Sequence, residues 1–178
     1  MNTSQASKYK LDGFTFRVND MGIKMVDITG KGEVYREAEA QGFIVLKPET
    51  VSAIKEGRVP KGDVITAAQL AAINAVKKTS DLVVLAHPIA SITSIDVKLK
   101  VAERGVEATV TVKSIAKTGV ELEALVGVMA ALLTVFDMCK QFEKDEKGQY
   151  PLTKITDVRV TRKIKVDVES EKDYNVGD

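Results

Sequence analysis

The chain of 178 residues carries 26 basic and 25 acidic side chains, and 44% of its residues are hydrophobic. These values fit one soluble globular domain and exclude collagen-like, disordered and disulfide-scaffold proteins. The net charge of +1 gives no global reason to bind nucleic acid or a membrane surface, and one cysteine with one histidine cannot form a four-ligand zinc site. Any anionic ligand must therefore be held by cations that converge locally.

The two ends of the chain are predicted to be peripheral. The first residues lack the basic start and apolar core of a secretory signal, so we expect a cytoplasmic protein. We interpret residues 1–23 as a peripheral N-terminal segment, 24–166 as a single domain and 167–178 as a charged C-terminal tail. β-Branched residues and partial alternation predict strands over about 24–30 and 34–46, joined as a hairpin near Gly30 to Gly32.

The middle of the chain predicts two helices. Pro48 is tolerated at a first helical position, and the segment after it ends near Gly57, which predicts a short helix. Asp63 is placed to cap a longer helix over residues 64–78, whose Ala-rich sequence favours helix and whose apolar residues cover most of its surface. We expect this second helix to be largely buried.

The rest of the chain completes a recognisable order of elements. Alternating β-branched residues predict strands over 91–101 and 105–115, joined by a hairpin. A long helix follows from about Glu121 to Phe142, and a final alternating strand covers 155–166. The order β, helix, β, β, helix, β is that of a ferredoxin-like α+β fold, an antiparallel sheet with helices packed on one face, here with one additional N-terminal strand and a short helix.

The long helix is apolar almost all round between Ala124 and Phe136. At about 1.5 Å per residue this run is shorter than the roughly 30 Å hydrocarbon core of a membrane, so we interpret it as a buried helix. One sheet face covers a helical stripe only about 100° wide. The remaining apolar surface therefore predicts a second subunit.

Three polar clusters interrupt apolar segments and are candidate positions for chemistry. Lys61 to Asp63 stand before a helix, where a lysine and backbone N–H groups can receive phosphate oxygens, although a turn with a helix cap is the simpler explanation. His87, the only histidine, suits substrate contact or a structural hydrogen bond. Asp137 and Lys140 share a helix face at i and i+3, either as an acid/base pair or as a surface ion pair.

A second carboxylate on the long helix lies far from Asp137. Glu123 is fourteen residues away, which is about 21 Å along a straight helix and too far for both groups to flank one reacting atom. Two such helices packed antiparallel about a two-fold axis would bring Glu123 of one subunit toward Asp137 of the other. The spacing therefore predicts a site shared between subunits.

Four segments between about Met25 and Lys163 carry a family resemblance, and they occur in the family's order. They read KMVDITGK, YREAEAQGFI, KGDVITAAQLAAINAVKKTSDLVVLAHPI and KTGVELEALVGVMAALLTVFDMCK. Together they closely resemble the molybdenum cofactor biosynthesis protein C family, the cyclic pyranopterin monophosphate synthases. A series of long matching motifs is far more specific than any single short motif.

The resemblance implies conversion of 3′,8-cyclo-7,8-dihydro-GTP to cyclic pyranopterin monophosphate with release of pyrophosphate, in a ferredoxin-like hexamer, a trimer of dimers with sites between subunits. It implies catalytic roles for Asp137, Lys140 and Lys61. The substrate-binding positions that it implies are Leu85, Ala86, His87, Leu122, Glu123, Arg36 and Lys163. No tightly bound cofactor is expected, and any Mg²⁺ would arrive on the substrate triphosphate, because paired carboxylates for a protein-held metal are not evident.

The chain departs from the family pattern at two places. Ala86 stands where many members have cysteine, and KIKVDVESEKD replaces the glycine-rich segment usual after the last strand. One other function stays open, a non-catalytic ferredoxin-like module that binds a nucleotide. A family member that has lost activity is disfavoured because Lys61, His87, Glu123, Asp137 and Lys140 are all present. An RNA-binding sheet is disfavoured because IDVKLKV and EATVTVKSI contain no aromatic residue for stacking on bases.

Overall fold

A computed structural model describes residues 8–11, 14–17 and 23–167 of the chain. The strands are β1 (Lys8–Leu11), β2 (Phe14–Arg17), β3 (Val34–Val45), β4 (Ile92–Ala102), β5 (Gly105–Ala116) and β6 (Lys154–Val166). The helices are α1 (Pro48–Lys55), α2 (Val64–Val76), α3 (Thr79–Leu82) and α4 (Glu121–Glu143).

Four strands form one antiparallel sheet in the order β4-β5-β3-β6. The central strand β3 pairs with β5 from Val34 opposite Ala116 to Val45 opposite Gly105, and its other edge pairs with β6. Helices α2 and α4 pack together against the sheet. This order of strands and helices confirms the predicted ferredoxin-like α+β fold.

Alternation along the two central strands determines which side of the sheet faces the helices. The residues on that side are buried and small or β-branched: Ala38, Ala40, Ile44, Val106, Ala108, Val110 and Val112. At Gly42 an added Cβ would lie 2.8 Å from Val128 Cγ1 and 2.9 Å from Leu132 Cδ1. The missing side chain therefore allows α4 to approach the middle of β3 closely.

The apolar character of α4 is met partly within the chain. An added Cβ at Gly127 would lie 2.8 Å from Val76 Cγ2 of α2 and 3.0 Å from Val110 Cγ1 of the sheet, so both elements pack on this helix. Helix α4 is long and apolar enough to cross a membrane, but half of its most apolar stretch is buried inside the domain, as in a core helix. Helix α2 therefore covers part of the apolar surface of α4 for which the sequence predicts a second subunit. The apolar sequence of α4 alone does not require that subunit.

The helix beginnings follow the predicted signals. Asp63 caps α2, with its carboxylate accepting from the N–H groups of Ile65 at 2.9 Å and Thr66 at 3.0 Å. Helix α1 begins at Pro48 and ends at Lys55, two residues before Gly57, whose φ is +66°. Both helices confirm the predicted caps and bounds. The expectation that α2 is largely buried is wrong: Val64, Ala68, Ala72 and Val76 are its buried residues, and Leu70 is 63% exposed, because one face of the helix packs on α4 and the sheet while the other faces outward.

The predicted strand over residues 24–30 is wrong, and so is its hairpin with the next strand. Residues 23–28 have no regular structure, and Thr29 and Gly30 form a turn in which Asp27 Oδ1 accepts from the Thr29 N–H at 2.8 Å. Both edges of β3 are already occupied by β5 and β6, so a strand before it finds no free edge. The additional N-terminal strand of the predicted fold is therefore absent at 24–30.

Three elements were not predicted. Strands β1 and β2 form a separate antiparallel pair within the segment interpreted as peripheral, and the one-turn helix α3 follows α2. Of the predicted tail, all but Asp167 lies outside the described residues. The division of the chain at residues 23 and 166 stays a prediction.

Candidate active site

A carboxylate near the end of α4 is held between two lysines. The Oδ2 atom of Asp137 accepts from Lys61 Nζ at 2.6 Å, and its Oδ1 atom accepts from Lys140 Nζ at 2.7 Å. Lys61 also donates to the Asp137 carbonyl at 3.0 Å. The lysine reaches this position from the turn before α2, where Gly62 has a φ of +103°, so the turn that leads into α2 also delivers Lys61 to α4.

The protonation states of this triad follow from its hydrogen bonds. Donation from Lys140 and Lys61 lowers the pKa of Asp137 to about 2, and the pKa of Lys140 is raised by its bond to Asp137. All three side chains are about half exposed, so a ligand can reach them. At neutral pH the cluster is a carboxylate between two ammonium groups, which can donate protons or bind an anion.

A second cluster lies at the beginning of α4. A cavity of about 440 Å³ is lined by Lys31, Arg36, Lys117, Thr118, Gly119, Glu121, Leu122 and Lys163. It contains the predicted residues Arg36, Leu122 and Lys163. The cavity thus combines four cationic side chains with a single carboxylate.

Arg36 is fixed only loosely in this cavity. One guanidinium nitrogen, Nη2, donates to the Lys117 carbonyl at 3.5 Å, while the buried Nε finds no hydrogen-bond partner within the described residues. A buried guanidinium N–H without a partner is costly, and an anion in the cavity would supply an acceptor.

His87 lines a neighbouring cavity of about 470 Å³ together with Lys117 and residues 25–29. Its Nε2 donates to the Val26 carbonyl at 2.7 Å, which requires the proton on Nε2 because a carbonyl only accepts. Lys117 lines both cavities, so they lie side by side. Of the other two residues in this motif, Leu85 is exposed and Ala86 is half-buried.

The predicted binding residue Glu123 is buried, with 4% of its surface exposed. Its Oε2 has no hydrogen-bond partner within the described residues. Burial raises the pKa of this carboxyl, and the nearby Glu121 raises it further. Glu123 is therefore suited to carrying a proton, in contrast to Asp137.

The structure places the predicted residues in two groups. Lys61, Asp137 and Lys140 lie together toward the end of α4, whereas Arg36, Leu122 and Lys163 surround its beginning and His87 lines the adjoining cavity. The separation of Glu123 and Asp137 along the helix is about 21 Å, so one chain does not unite the two groups. Their meeting across two subunits stays a prediction.

Lys31 and Lys117 are candidate residues that sequence reasoning missed. Both line the cavity at the start of α4. Lys117 stands in KTGVE, three residues before Val120, the N-cap of α4, and four before Glu121. A lysine just before a helix N-terminus, where the helix dipole also favours anions, was the signal that could have identified it as an anion-binding residue. Lys31 carried no such signal, because the turn that holds it was predicted as part of a hairpin.

No group of three or more His, Cys, Asp or Glu side chains able to hold a metal ion occurs in the described part of the chain. The lone cysteine, Cys139, is fully buried, and burial raises the pKa of its thiol to about 11. A thiol with so high a pKa is a poor nucleophile at neutral pH.

Comparison with known proteins shows the family to which this chain is related. Proteins named probable cyclic pyranopterin monophosphate synthase are similar to this chain: one from Aeropyrum pernix is 58% identical over 81% of this chain and 98% of its own length, and one from Pyrococcus furiosus is 53% identical over 83% and 94%. A third, from Methanospirillum hungatei, is 52% identical over 85% and 96%. The MoaC family profile matches residues 25–165, which include both clusters. The chain therefore belongs to the MoaC family.

Proposed function

We propose that this chain is a cyclic pyranopterin monophosphate synthase, a lyase of molybdenum cofactor biosynthesis. It converts 3′,8-cyclo-7,8-dihydro-GTP to cyclic pyranopterin monophosphate and releases pyrophosphate. The relatives that carry this name share 51–58% of their residues with it over most of the chain. The observation that carries the proposal is the Lys61–Asp137–Lys140 triad, assembled from two segments far apart in sequence.

The triad supplies the proton transfers that the reaction needs. The purine-derived ring system is opened and rebuilt, so protons must be taken from and returned to nitrogen and carbon atoms. Lys140 and Lys61 are protonated donors beside Asp137, which stays ionised and orients them. Lys61 also stabilises negative charge that develops on the substrate.

The last step is an attack of a sugar hydroxyl on the α-phosphate. A new bond forms between that oxygen and the α-phosphorus, the bond from the α-phosphorus to the bridging oxygen breaks, and pyrophosphate leaves with the bonding electrons. Arg36 and Lys163, from β3 and β6, bind phosphate oxygens in this proposal, and a guanidinium can do so through two parallel hydrogen bonds. Any Mg²⁺ is brought by the substrate phosphates.

The enzyme works as a homo-oligomer, a hexamer built as a trimer of dimers, with each site shared between subunits. Two observations support this. The two clusters lie at opposite ends of α4, too far apart for one chain to form a single site from both. The apolar residues before His87 are exposed, with Leu82 at 64% and Val84 at 83%. The apolar run that precedes the histidine is thus not part of the core of its own subunit. The enzyme acts in the cytoplasm on a small molecule, without nucleic acid or a membrane.

The test is release of pyrophosphate from freshly prepared 3′,8-cyclo-7,8-dihydro-GTP, with the organic product identified by mass. Asp137→Asn keeps the size of the side chain but removes the charge that orients both lysines, so we expect turnover to fall at least about 100-fold. Asp96→Asn is the matched control, because Asp96 is equally exposed and pairs with Lys98 on the edge strand β4. We expect that control to keep the activity of the unaltered protein.

The rival function is a non-catalytic module that binds the same nucleotide. Tight binding of the cyclised compound without formation of a cyclic pterin phosphate by the unaltered protein would favour that module. Equal turnover by the Asp137→Asn and Asp96→Asn variants would instead remove the triad from the chemistry. Circular dichroism of each variant verifies that the fold is retained.

A further inference from the structure

The cationic cavity at the beginning of α4 contains an anion of its own. Glu121 is its single carboxylate, and Glu121 Oε1 forms an ion pair with Lys163 Nζ. In the part of the chain that the structure describes, the other three cations that line this cavity form no ion pair, and Arg36 and Lys117 donate to backbone carbonyls. Glu121 thus neutralises Lys163, one of the four cations in this cavity that could bind an anionic ligand.

The carboxylate of Glu121 also lies over the N-terminal end of α4. It folds back over Gly119, so that its Cδ is 2.7 Å from the place where a Cβ of residue 119 would be. The first turn of α4 has no side-chain cap within the described residues, because its N-cap position is Val120. Glu121 therefore lies where the helix dipole and the cations most favour negative charge.

Glu121 and Lys163 can separate without movement of the backbone. Lys163 belongs to β6, opposite Ala38 of β3, so the sheet fixes its main chain while 57% of its side chain is exposed. Glu121 is anchored by the helix and reaches Lys163 through a flexible side chain. Breaking this pair needs only rotations about side-chain bonds. With 57% of the Lys163 side chain and 24% of the Glu121 side chain exposed, the pair is partly screened by solvent and contributes modestly to stability.

We propose that Glu121 is a displaceable counter-ion, which pairs with Lys163 in the free protein, gives up this place to a phosphate group when one binds, and returns when pyrophosphate leaves. An incoming pyrophosphoryl group carries more charge than a carboxylate, so it replaces Glu121 on Lys163 and also engages Arg36. After the α-phosphate bond is broken, Glu121 competes again for Lys163 and weakens retention of the product. The identity of the phosphate as part of the substrate rests on the proposed function, whereas the exchange itself does not.

The experiment is titration calorimetry of inorganic pyrophosphate into the full-length protein. Glu121→Gln keeps the shape of the side chain but removes its charge. We expect it to tighten pyrophosphate binding about threefold to fivefold, the factor that corresponds to a solvent-screened ion pair of up to about 1 kcal/mol. Glu103→Gln is the matched control: it lies in the β4–β5 hairpin, at the opposite end of β5 from the cavity. We expect the control to change the affinity less than 1.5-fold, because salt screens the interaction between charges that are more than about 10 Å apart.

A double-mutant cycle separates exchange from general electrostatics. Lys163→Ala weakens binding and releases Glu121, so in that background Glu121→Gln should no longer tighten it appreciably. An equal gain with and without Lys163 would overturn the exchange, because removing any nearby negative charge would then explain it. Absence of a gain in the single variant, or absence of pyrophosphate binding by the unaltered protein, would overturn it as well.

Turnover distinguishes this inference from the proposed function. If the protein shows the expected pyrophosphate cycle but does not convert the cyclised compound, the proposed function fails and the counter-ion exchange stands. If conversion is normal but Glu121→Gln gives no gain in affinity, the exchange fails and the synthase function stands. In an active enzyme, Glu121→Gln should also show stronger inhibition by added pyrophosphate.

Discussion

Two carboxylates on α4 have opposite surroundings. Asp137 is exposed between two lysines, and its pKa is lowered to about 2, whereas burial raises the pKa of Glu123. A lowered pKa in the folded state gives stability above the ordinary value near 3.8, which is lost as the pH falls toward 2. Glu123 behaves in the opposite sense: it favours folding at low pH and opposes it once the pH exceeds the ordinary value of 4.5 and passes the raised one.

We predict that Glu123→Gln stabilises the protein in a pH-dependent way. At pH 8 folding must either bury this charge without a partner or take up a proton from solution, and both cost free energy, so the amide should raise the free energy of unfolding by about 1 kcal/mol. At pH 4 Glu123 is protonated in both states, and the difference should nearly disappear. Urea unfolding at the two pH values measures this.

Glu146→Gln is the control for this experiment, because Glu146 is exposed in the turn after α4. It should change stability little at either pH. If Glu123→Gln gave the same change at both values, its effect would not come from the buried charge. A stabilised protein that loses turnover would be typical of a residue retained for function rather than for folding.

Single residues also show how far the sequence could predict the site. The Asp137–Lys140 pair followed from i and i+3 spacing, but Lys61 is 76 residues from Asp137, and its place in the site came from the family resemblance. Lys31 and Lys117 were missed because a lysine in a loop carries no periodic signal. The burial of Glu123 was not expected, since its position beside an exposed Leu122 depends on how α4 is rotated against the sheet.

At the scale of the elements, a buried acid joins the end of α4 to two other segments. Glu143 is fully buried and accepts hydrogen bonds from the Lys47 N–H at 3.1 Å and from the hydroxyls of Thr50 and Thr153. Lys47 Nζ in turn donates to the Phe142 carbonyl at 3.1 Å and thus satisfies a free carbonyl in the last turn of α4. These contacts fix the end of α4, near Asp137, to the beginning of α1 and the approach to β6.

We predict that Glu143→Ala destabilises the protein by about 3 kcal/mol. Removing the carboxylate leaves a buried N–H and two hydroxyls without their acceptor, and each unsatisfied donor is costly. The measurement is urea unfolding at pH 7, with the exposed Glu146→Ala as the matched control, for which we expect a change within about 0.5 kcal/mol. Equal stability of the two variants would show that the buried contacts are replaced by water.

The elements show a similar limit on prediction. Strong local signals gave the bounds of α1, α2, α4 and the last three strands to within about two residues, because caps and alternation are encoded locally. The predicted strand over 24–30 failed for a non-local reason: both edges of β3 are occupied by partners that come much later in the chain. Glu143 was not singled out either, since in sequence it is one acid in a charged stretch.

The whole molecule is predicted to be active only when two subunits meet. If each site takes Glu123 from one subunit and Asp137 from the other, neither Glu123→Gln nor Asp137→Asn oligomers should be active. Random mixing in a two-fold dimer makes half of the dimers mixed, and each mixed dimer has one intact site. We therefore expect recovery to about one quarter of the unaltered activity.

The mixture should be prepared by unfolding and refolding both variants together, with mixed oligomers verified by native mass spectrometry. Mixing each variant with itself in the same way is the control and should give no recovery. If verified mixed oligomers stayed inactive, the two carboxylates would not belong to one shared site. The gel-filtration mass of the unaltered protein tests the hexamer itself.

The burial of Cys139 makes the chain convenient for thiol-specific labelling. It is the only cysteine in the sequence, it is fully buried, and its thiol pKa of about 11 keeps it protonated at the pH used for maleimide reagents. A cysteine introduced at an exposed position, such as Glu103→Cys in the β4–β5 hairpin, would therefore react selectively without removal of the native one. Spin labels or fluorophores placed this way would test the proposed association of subunits, because a homo-oligomer would give distances between labels on different chains.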